Sequence, residues 1–169
     1  LAIVNDIERQ KTVEGLAQSV QTMDHMVERL LKAGVPTKGA TTFISECNDR
    51  LTRRIITLAE SAMAKEGLGA PPVPYCWLAL GSEGRKEQTL KTDQDNAIIF
   101  EDVPESDEAA VRVRNAVMRS DRLRQISGFD VTVSVGSIFW HPDSGRSIEH
   151  ALAEADSRMY RDKQGKRAE

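Results

Sequence analysis

The residues best suited to chemistry fall in one window of the sequence, which opens with an apolar strand ending in Gly81 and Ser82. Gly81 lets the backbone approach a ligand closely. Ser82 supplies a hydroxyl at the start of a predicted helix, where free N–H groups and the helix dipole favour phosphate. Arg85, one helical turn further on, adds a cation suited to a bidentate phosphate contact. These residues predict a phosphate-binding turn.

Two carboxylates, Asp93 and Asp95, follow this turn at the start of a second predicted strand. Residues i and i+2 of a strand point to the same face, so the two carboxylates would repel each other without a cation between them. Mg²⁺ prefers oxygen ligands and usually takes one or two carboxylates together with substrate phosphates. With the phosphates of a nucleoside triphosphate (NTP) on the turn and Mg²⁺ on the Asp pair, the layout fits two-metal phosphoryl chemistry.

Each half of this window is common by itself. A Gly-Ser turn is usually only a turn, and an Asp-x-Asp before a strand is more often part of a solvated loop. Their order and spacing in one chain make the combination much more specific. Glu87 could orient the Arg85 guanidinium or could simply be solvated, and we favour the solvated interpretation.

The elements that must position the window begin with helices. Apolar residues at three- and four-residue steps predict one helix from Val13 to about Leu30 and another from about Ile44 to Ala62. Gly34-Val35-Pro36 separates them, and Thr41 or Thr42 could cap the second helix. Two amphipathic helices joined by a short loop form a helical hairpin. Its apolar stripe needs a partner surface, which the rest of the chain or a second copy in a homodimer could provide.

From residue 75 the pattern changes to alternating strands and helices. The predicted elements are a buried strand at 75–80, a short helix at 83–90, a strand at 96–100, a long helix capped by Ser106, a strand at 131–139 and a last helix capped by Ser147. This order predicts an α/β (α+β) fold, in which a helical hairpin at 1–70 precedes a small mixed sheet flanked by helices at 71–169.

Composition limits the classes of protein to consider. The chain has 169 residues, of which 40% are hydrophobic and 29% charged, and its net charge of −3 gives no basic excess for nucleic acid. No apolar run approaches the ~20 residues of a membrane span, and no secretory signal is present. Cys47 and Cys76 are predicted to be buried reduced thiols. We expect a cytoplasmic protein and, because the first residue is Leu, a piece of a longer chain.

The segment 71–100 resembles a known family. Its motifs Gly81-Ser-Glu-Gly-Arg85, Glu87-Gln-Thr-Leu90 and Thr92-Asp-Gln-Asp-Asn96 resemble the nucleotidyltransferase domain of bacterial signalling proteins that also carry CBS and cyclic-nucleotide-binding modules. That domain is similar to the uridylyltransferase of nitrogen signalling, in the DNA polymerase β-like superfamily. The helical region before it, including residues 48–52, shares the resemblance, which covers about 1–102. It implies binding of an NTP and Mg²⁺ and transfer of a nucleotidyl group to a protein or small acceptor.

After residue 102 the resemblance changes. The segments 129–136 and 155–165 are similar to the end of a GGDEF diguanylate cyclase domain, in which Lys163 would correspond to a residue near the GTP phosphates. The Gly-Gly-Asp-Glu-Phe signature is absent, and residues 92–96 stand in its place. We therefore interpret the chain as a chimera joined near 97–105, with a nucleotidyltransferase-like part at 71–102 and a GGDEF-like tail at 103–169.

The resemblance also suggests a third catalytic carboxylate. Polymerase β-like enzymes usually carry one on a later strand between apolar residues, and Phe129-Asp130-Val131 has that form. Asp130 either completes the site or is an exposed Asp at the start of a strand. Two alternatives to a nucleotidyltransferase stay open: a diguanylate cyclase-like domain without its signature loop, and a catalytically silent chimeric module that binds a nucleotide or a partner. The predicted site comprises catalytic carboxylates Asp93, Asp95 and Asp130, the first two holding Mg²⁺, and nucleotide-binding residues Gly81, Ser82, Arg85 and Lys163.

Overall fold

The structure, a computed structural model, describes residues 2–89, 94–101 and 134–165. The chain divides into two compact units, Leu1–Glu101 and Asp102–Glu169. The elements of the first unit are α1 Ala2–Arg9, α2 Val13–Lys32, α3 Thr37–Lys65, β1 Tyr75–Ala79, α4 Gly81–Gly84 and β2 Asn96–Phe100. In the second unit, a 3-10 turn at Pro142–Ser144 precedes α5 Ile148–Gly165. Helices with a small sheet confirm the α+β class predicted from the sequence.

The two long predicted helices are confirmed as α2 and α3, and α1 packs against both. Their apolar stripes meet in the core of the first unit, which buries Ile3, Ile7, Leu16, Met23, Val27, Ile44 and Cys47. Burying such side chains contributes roughly 1.5–3 kcal/mol each relative to leaving them in water. The hairpin therefore buries its stripe within the first unit, with the help of α1.

The start of α3 differs from the prediction. Neither Thr41 nor Thr42 caps it, because the helix begins earlier, at Thr37, directly after Pro36. The Pro36 carbonyl accepts the first hydrogen bonds of the helix, from the N–H groups of Gly39 at 2.8 Å and Ala40 at 3.2 Å. Both threonine hydroxyls instead donate to the Lys38 carbonyl inside the first turns.

The two strands match their predicted positions and pair antiparallel, with Tyr75 opposite Phe100 and Ala79 opposite Asn96. The first strand was expected to be buried, but Cys76 and Trp77 are exposed. The sheet formed by the described residues has two strands, so each is an edge strand with one unpaired side. An apolar run identifies a strand but does not say how many neighbours cover it.

The described part of the second unit is centred on α5. The Ser147 hydroxyl accepts a hydrogen bond from the His150 N–H at 3.3 Å, which confirms the predicted cap. Of the strand predicted at 131–139, the described residues, from 134 onward, have no strand assignment. This stretch is tied to α5 by hydrogen bonds, for example from the Val135 N–H to the Asp162 carboxylate at 3.2 Å. The helix predicted after Ser106 lies outside the described residues, and no described helix is long and apolar enough to cross a membrane.

Candidate active site at the Gly81–Gln88 turn

The pairing of β1 with β2 brings the start of the turn beside Asp95. One residue beyond the last strand pair, the Leu80 N–H donates to the Asp95 carbonyl oxygen at 2.8 Å. Gly81 follows with φ of +56°, and a Cβ at this position would lie 2.5 Å from Asp95 Oδ2. Only glycine tolerates both the left-handed backbone and this close approach without displacing the carboxylate. The structure thus places two of the predicted site residues, Gly81 and Asp95, side by side.

The helix after Gly81 is shorter than the predicted 83–90, because α4 ends at Gly84. Gly84 lies so close to β1 that a Cβ there would be 2.6 Å from the Ala79 carbonyl oxygen. Two residues later Lys86 takes a left-handed conformation with φ of 58°, which turns the chain out of the helix. A single helical turn carries little dipole, so the phosphate-binding argument from the helix dipole is weaker than the sequence suggested.

Free backbone donors nevertheless remain at the start of the turn. The first intrahelical hydrogen bond runs from the Gly84 N–H to the Leu80 carbonyl at 3.0 Å. The N–H groups of Gly81, Ser82 and Glu83 precede this first bond and have no partner within the helix. The Ser82 side chain is half-buried at the same point. The local donors for an anion are therefore backbone N–H groups and one hydroxyl.

Arg85 forms an ion pair with Glu87, with 2.8 Å between Nε and Oε2. Glu87 is thus solvated, as the sequence favoured, and is paired with the Arg85 guanidinium at the same time. Both side chains are more than 60% exposed. An exposed ion pair contributes about 0–1 kcal/mol, so a phosphate group could replace Glu87 as the partner of Arg85 at small cost.

The inner side of the turn is polar and buried, which sequence reasoning missed. Glu83 is 4% exposed and Gln88 is 2% exposed. The Gln88 amide oxygen accepts a hydrogen bond from the Asn48 side chain on α3. Burial raises the pKa of Glu83, and the negative charge of Asp49 raises it further. The available sequence signal was Asn48, a polar residue four positions after Ile44 on the apolar stripe of α3.

The described structure does not test the remaining predicted site residues. Asp93 and Asp130 lie outside the described residues. Lys163 is an exposed residue of α5 in the second unit. Within the described residues no group of three or more His, Cys, Asp or Glu side chains could hold a metal. Asp95 is the one predicted metal ligand that the structure describes.

The donors at the turn nevertheless suit Mg²⁺. Asp95 is exposed, and its carboxylate lies beside the proposed phosphate-binding residue Gly81. Mg²⁺ commonly takes only one or two protein carboxylates and completes its coordination with phosphates and water. A second carboxylate, Asp93, stands two residues earlier in the sequence. Hard oxygen donors in this number fit a phosphate-bound Mg²⁺ rather than an all-protein metal cage.

An α+β unit with a Gly-Ser turn after one strand and an Asp before the next has the arrangement expected of a nucleotidyltransferase domain. The sequence profile of the family described as "Putative nucleotidyltransferase DUF294" matches residues 21–129. The match covers more than half of the chain, which therefore belongs to this family. It includes α3, the turn and both aspartates of the Asp-x-Asp pair. No curated protein and no solved structure matches the chain.

The extent of this match changes the interpretation of the C-terminal part. It runs through the predicted junction at 97–105 and continues to residue 129. The nucleotidyltransferase pattern therefore does not stop at residue 102, and the comparison gives no support to a GGDEF-like tail or to a chimera. The two segments that suggested a cyclase are a β-branched motif at 129–136 and a helix in which Asp156, Tyr160 and Lys163 match that family. Patterns this short recur in many α/β domains, because alternating strands and helices share the same apolar spacing.

Proposed function

We propose that the chain is a Mg²⁺-dependent nucleotidyltransferase that moves a nucleotidyl group from an NTP to a protein or small acceptor in bacterial signalling. The observation that carries this proposal is the contact between Gly81 and the Asp95 carboxylate. The turn is suited to bind phosphate, and the carboxylate is suited to bind a metal ion. A metal-bound polyphosphate such as an NTP would engage both at once. Membership of the DUF294 family supports the same class of reaction.

The turn binds the triphosphate. The N–H groups of Gly81 and Ser82 and the Ser82 hydroxyl donate to phosphate oxygens. Arg85 exchanges its exposed Glu87 partner for a phosphate oxygen, gaining a charge-assisted hydrogen bond to a more highly charged group. These donors are fixed by the sheet, because Leu80 just before the turn is hydrogen-bonded to Asp95. Fixed donors stabilise charge that develops during the reaction without reorganising.

Asp95, with Asp93 two residues before it, holds the metal. When bound, Mg²⁺ neutralises the triphosphate, stabilises the pyrophosphate leaving group and lowers the pKa of the attacking hydroxyl. Gly81 restricts where the Asp95 carboxylate can lie, since Oδ2 faces its α-carbon. Asp130 is the proposed third carboxylate.

The reaction is a substitution at the α-phosphorus of the NTP. An acceptor hydroxyl oxygen forms a bond to the α-phosphorus and passes its proton to solvent. The bond between the α-phosphorus and the oxygen bridging to the β-phosphate breaks, and its electron pair leaves with pyrophosphate. Arg85 and the N–H groups of the turn hold the phosphates in line for this displacement.

The position of a transferred label tests this reaction. The protein is incubated with Mg²⁺, a bacterial extract as the source of acceptor, and each NTP labelled at either the α- or the γ-phosphate. A nucleotidyltransferase transfers label from the α-labelled NTP alone, and the Asp95→Asn variant does not. Transfer of the γ-label would show a phosphotransferase instead. No transfer of either label, together with no binding of any NTP, would leave a catalytically silent module.

A further inference from the structure

The turn is attached to α3 by a partly buried hydrogen bond between residues far apart in sequence. The Asn48 side-chain amide on α3 donates to the Gln88 amide oxygen, 40 residues away. Gln88 is 2% exposed and Asn48 is half-buried, so this bond is partly shielded from water. A buried amide that loses its partner costs more than the hydrogen bond itself contributed, because the amide stays desolvated. Gln88 is therefore held at α3 unless the turn moves as a whole.

Gln88 is closely coupled to the phosphate-binding end of the turn. The N–H of Glu87, the residue before it, donates to the Ser82 carbonyl at 2.9 Å and closes residues 82–87 into a loop. The Gly81 α-carbon at the start of that loop faces Asp95. A displacement of Gln88 would therefore also displace Ser82, because the hydrogen bond from the Glu87 N–H joins the two ends of this loop.

The negative charge of a neighbouring residue on α3 opposes this attachment. Glu83 is buried with one carboxylate oxygen, Oε2, that has no hydrogen-bond partner among the described residues. Burial raises the pKa of Glu83, and Asp49, the residue after Asn48 on α3, carries the negative charge that raises it further. Two carboxylates repel when both are ionised. The neutral Asn48–Gln88 bond therefore holds the turn on α3 against a repulsive pair beside it.

We infer that Asn48 and Gln88 are positioning residues, which hold Gly81 and Ser82 in the conformation that binds the triphosphate. This inference rests on the proposed function. It makes α3, a helix that supplies no catalytic group, a determinant of nucleotide affinity. Any change that shifts α3 relative to the turn would alter that affinity without touching Asp95 or Arg85.

An exchange of side-chain lengths tests the inference. Asn48→Gln lengthens one partner by a methylene, and Gln88→Asn shortens the other by the same amount. Each single variant mismatches the pair, whereas the double variant restores its total length. Three quantities are measured for wild type, both single variants and the double variant: Mg²⁺-dependent NTP affinity, hydrogen exchange of the amides at 81–88, and the melting temperature.

We expect each single variant to bind NTP about tenfold more weakly, which corresponds to about 1.4 kcal/mol, and to exchange its turn amides faster. The double variant should recover most of the NTP affinity and most of the protection of the turn amides from exchange. Singles that melt lower but bind and exchange like wild type would mean a merely structural contact and would overturn the inference. A double variant no better than the singles would also overturn it. If wild type binds no NTP, the proposed function fails, while amide exchange still decides whether the pair holds the turn.

Discussion

The α-carbon of Gly81 and the carboxylate of Asp95 are in contact across the end of the β1–β2 sheet, with room for no Cβ between them. Strand pairing brings the two residues together although they are far apart in sequence. Ala79 pairs with Asn96, and the next residues, Leu80 and Asp95, are joined by a hydrogen bond. Strand pairing, rather than the turn itself, thus determines how far the proposed metal-binding carboxylate lies from the proposed phosphate donors.

Replacing Gly81 by Ala should abolish Mg²⁺-dependent nucleotide binding and lower stability. The new Cβ would lie 2.5 Å from Asp95 Oδ2 in a backbone with φ of +56°. Gly69→Ala is a matched control, because Gly69 also has positive φ, +77°, but has no atom within 4 Å of a Cβ. Both variants should lose about 1–2 kcal/mol in urea unfolding from the left-handed backbone alone. Equal nucleotide affinity in the two variants would contradict the importance of the Gly81–Asp95 contact.

The Arg85–Glu87 ion pair predicts opposite effects for its two partners. Arg85→Ala should weaken NTP binding about tenfold, because it removes a charge-assisted bond to phosphate. Glu87→Gln should strengthen binding by about twofold, since it removes an exposed competitor for the guanidinium. Fluorescence of Trp77 offers a local measurement, because its indole N–H donates to Asn96, the residue after Asp95. A weaker-binding Glu87→Gln would show that Glu87 orients Arg85 for phosphate.

Glu83 predicts a particular dependence of stability on pH. Its pKa in the folded protein is raised above the ordinary 4.5, first by burial and then by Asp49. Because the pKa of Glu83 is raised in the folded protein, its contribution to stability is fully present below pH 4.5. This contribution is lost as the pH rises through the pKa of the folded state. Glu83→Gln should therefore gain stability relative to wild type as pH increases from about 4 to 8. Asp49→Asn should show part of the same gain, because burial of Glu83 persists.

Urea unfolding at a series of pH values measures this difference. A constant difference between Glu83→Gln and wild type across the whole range would mean that the Glu83 carboxyl titrates alike in the folded and unfolded chain.

The two thiols should differ sharply in reactivity. Cys47 is 0% exposed, and burial raises its pKa to about 11, with a smaller contribution from Glu46. Cys76 on β1 is exposed. A thiol reagent at neutral pH should label Cys76 quickly in the native protein and Cys47 only after unfolding in urea, because the thiolate is the reactive form. Cys76→Ser should remove the fast phase. Fast labelling of Cys47 in the folded protein would mean that α3 is not packed as described.

Much of the framework could be predicted from sequence, because it depends on local periodicity. The stripes of α2 and α3 and the short apolar runs of β1 and β2 repeat at helical or strand spacing. The length of α4 could not be predicted from the sequence, because it is set by the contact of Gly84 with Ala79 and by the left-handed backbone of Lys86. Burial of a polar side chain depends on what folds against it. Gln88 acquires its partner, Asn48, only in the tertiary structure.

The candidate site was predictable to the extent that its motif was local. Gly81 and Asp95 were singled out by residue type and order, and the sheet places them in contact. Asp93, Asp130 and Lys163 stay predictions, because the first two lie outside the described residues and the third is an exposed residue of the second unit. The Glu83–Asp49 pair was missed because an isolated acidic residue gives no sign of burial.

The most direct test of the central claim is calorimetric titration of ATP, GTP, UTP and CTP, with and without Mg²⁺, into wild type and Asp95→Asn. Asp143→Asn, which changes a fully exposed carboxylate of the second unit, is the control. The account predicts that at least one NTP binds to wild type and to Asp143→Asn only with Mg²⁺, and that Asp95→Asn loses this binding. Binding that is unaffected by Mg²⁺ or by Asp95→Asn would contradict a metal-dependent nucleotide site at the Gly81–Gln88 turn.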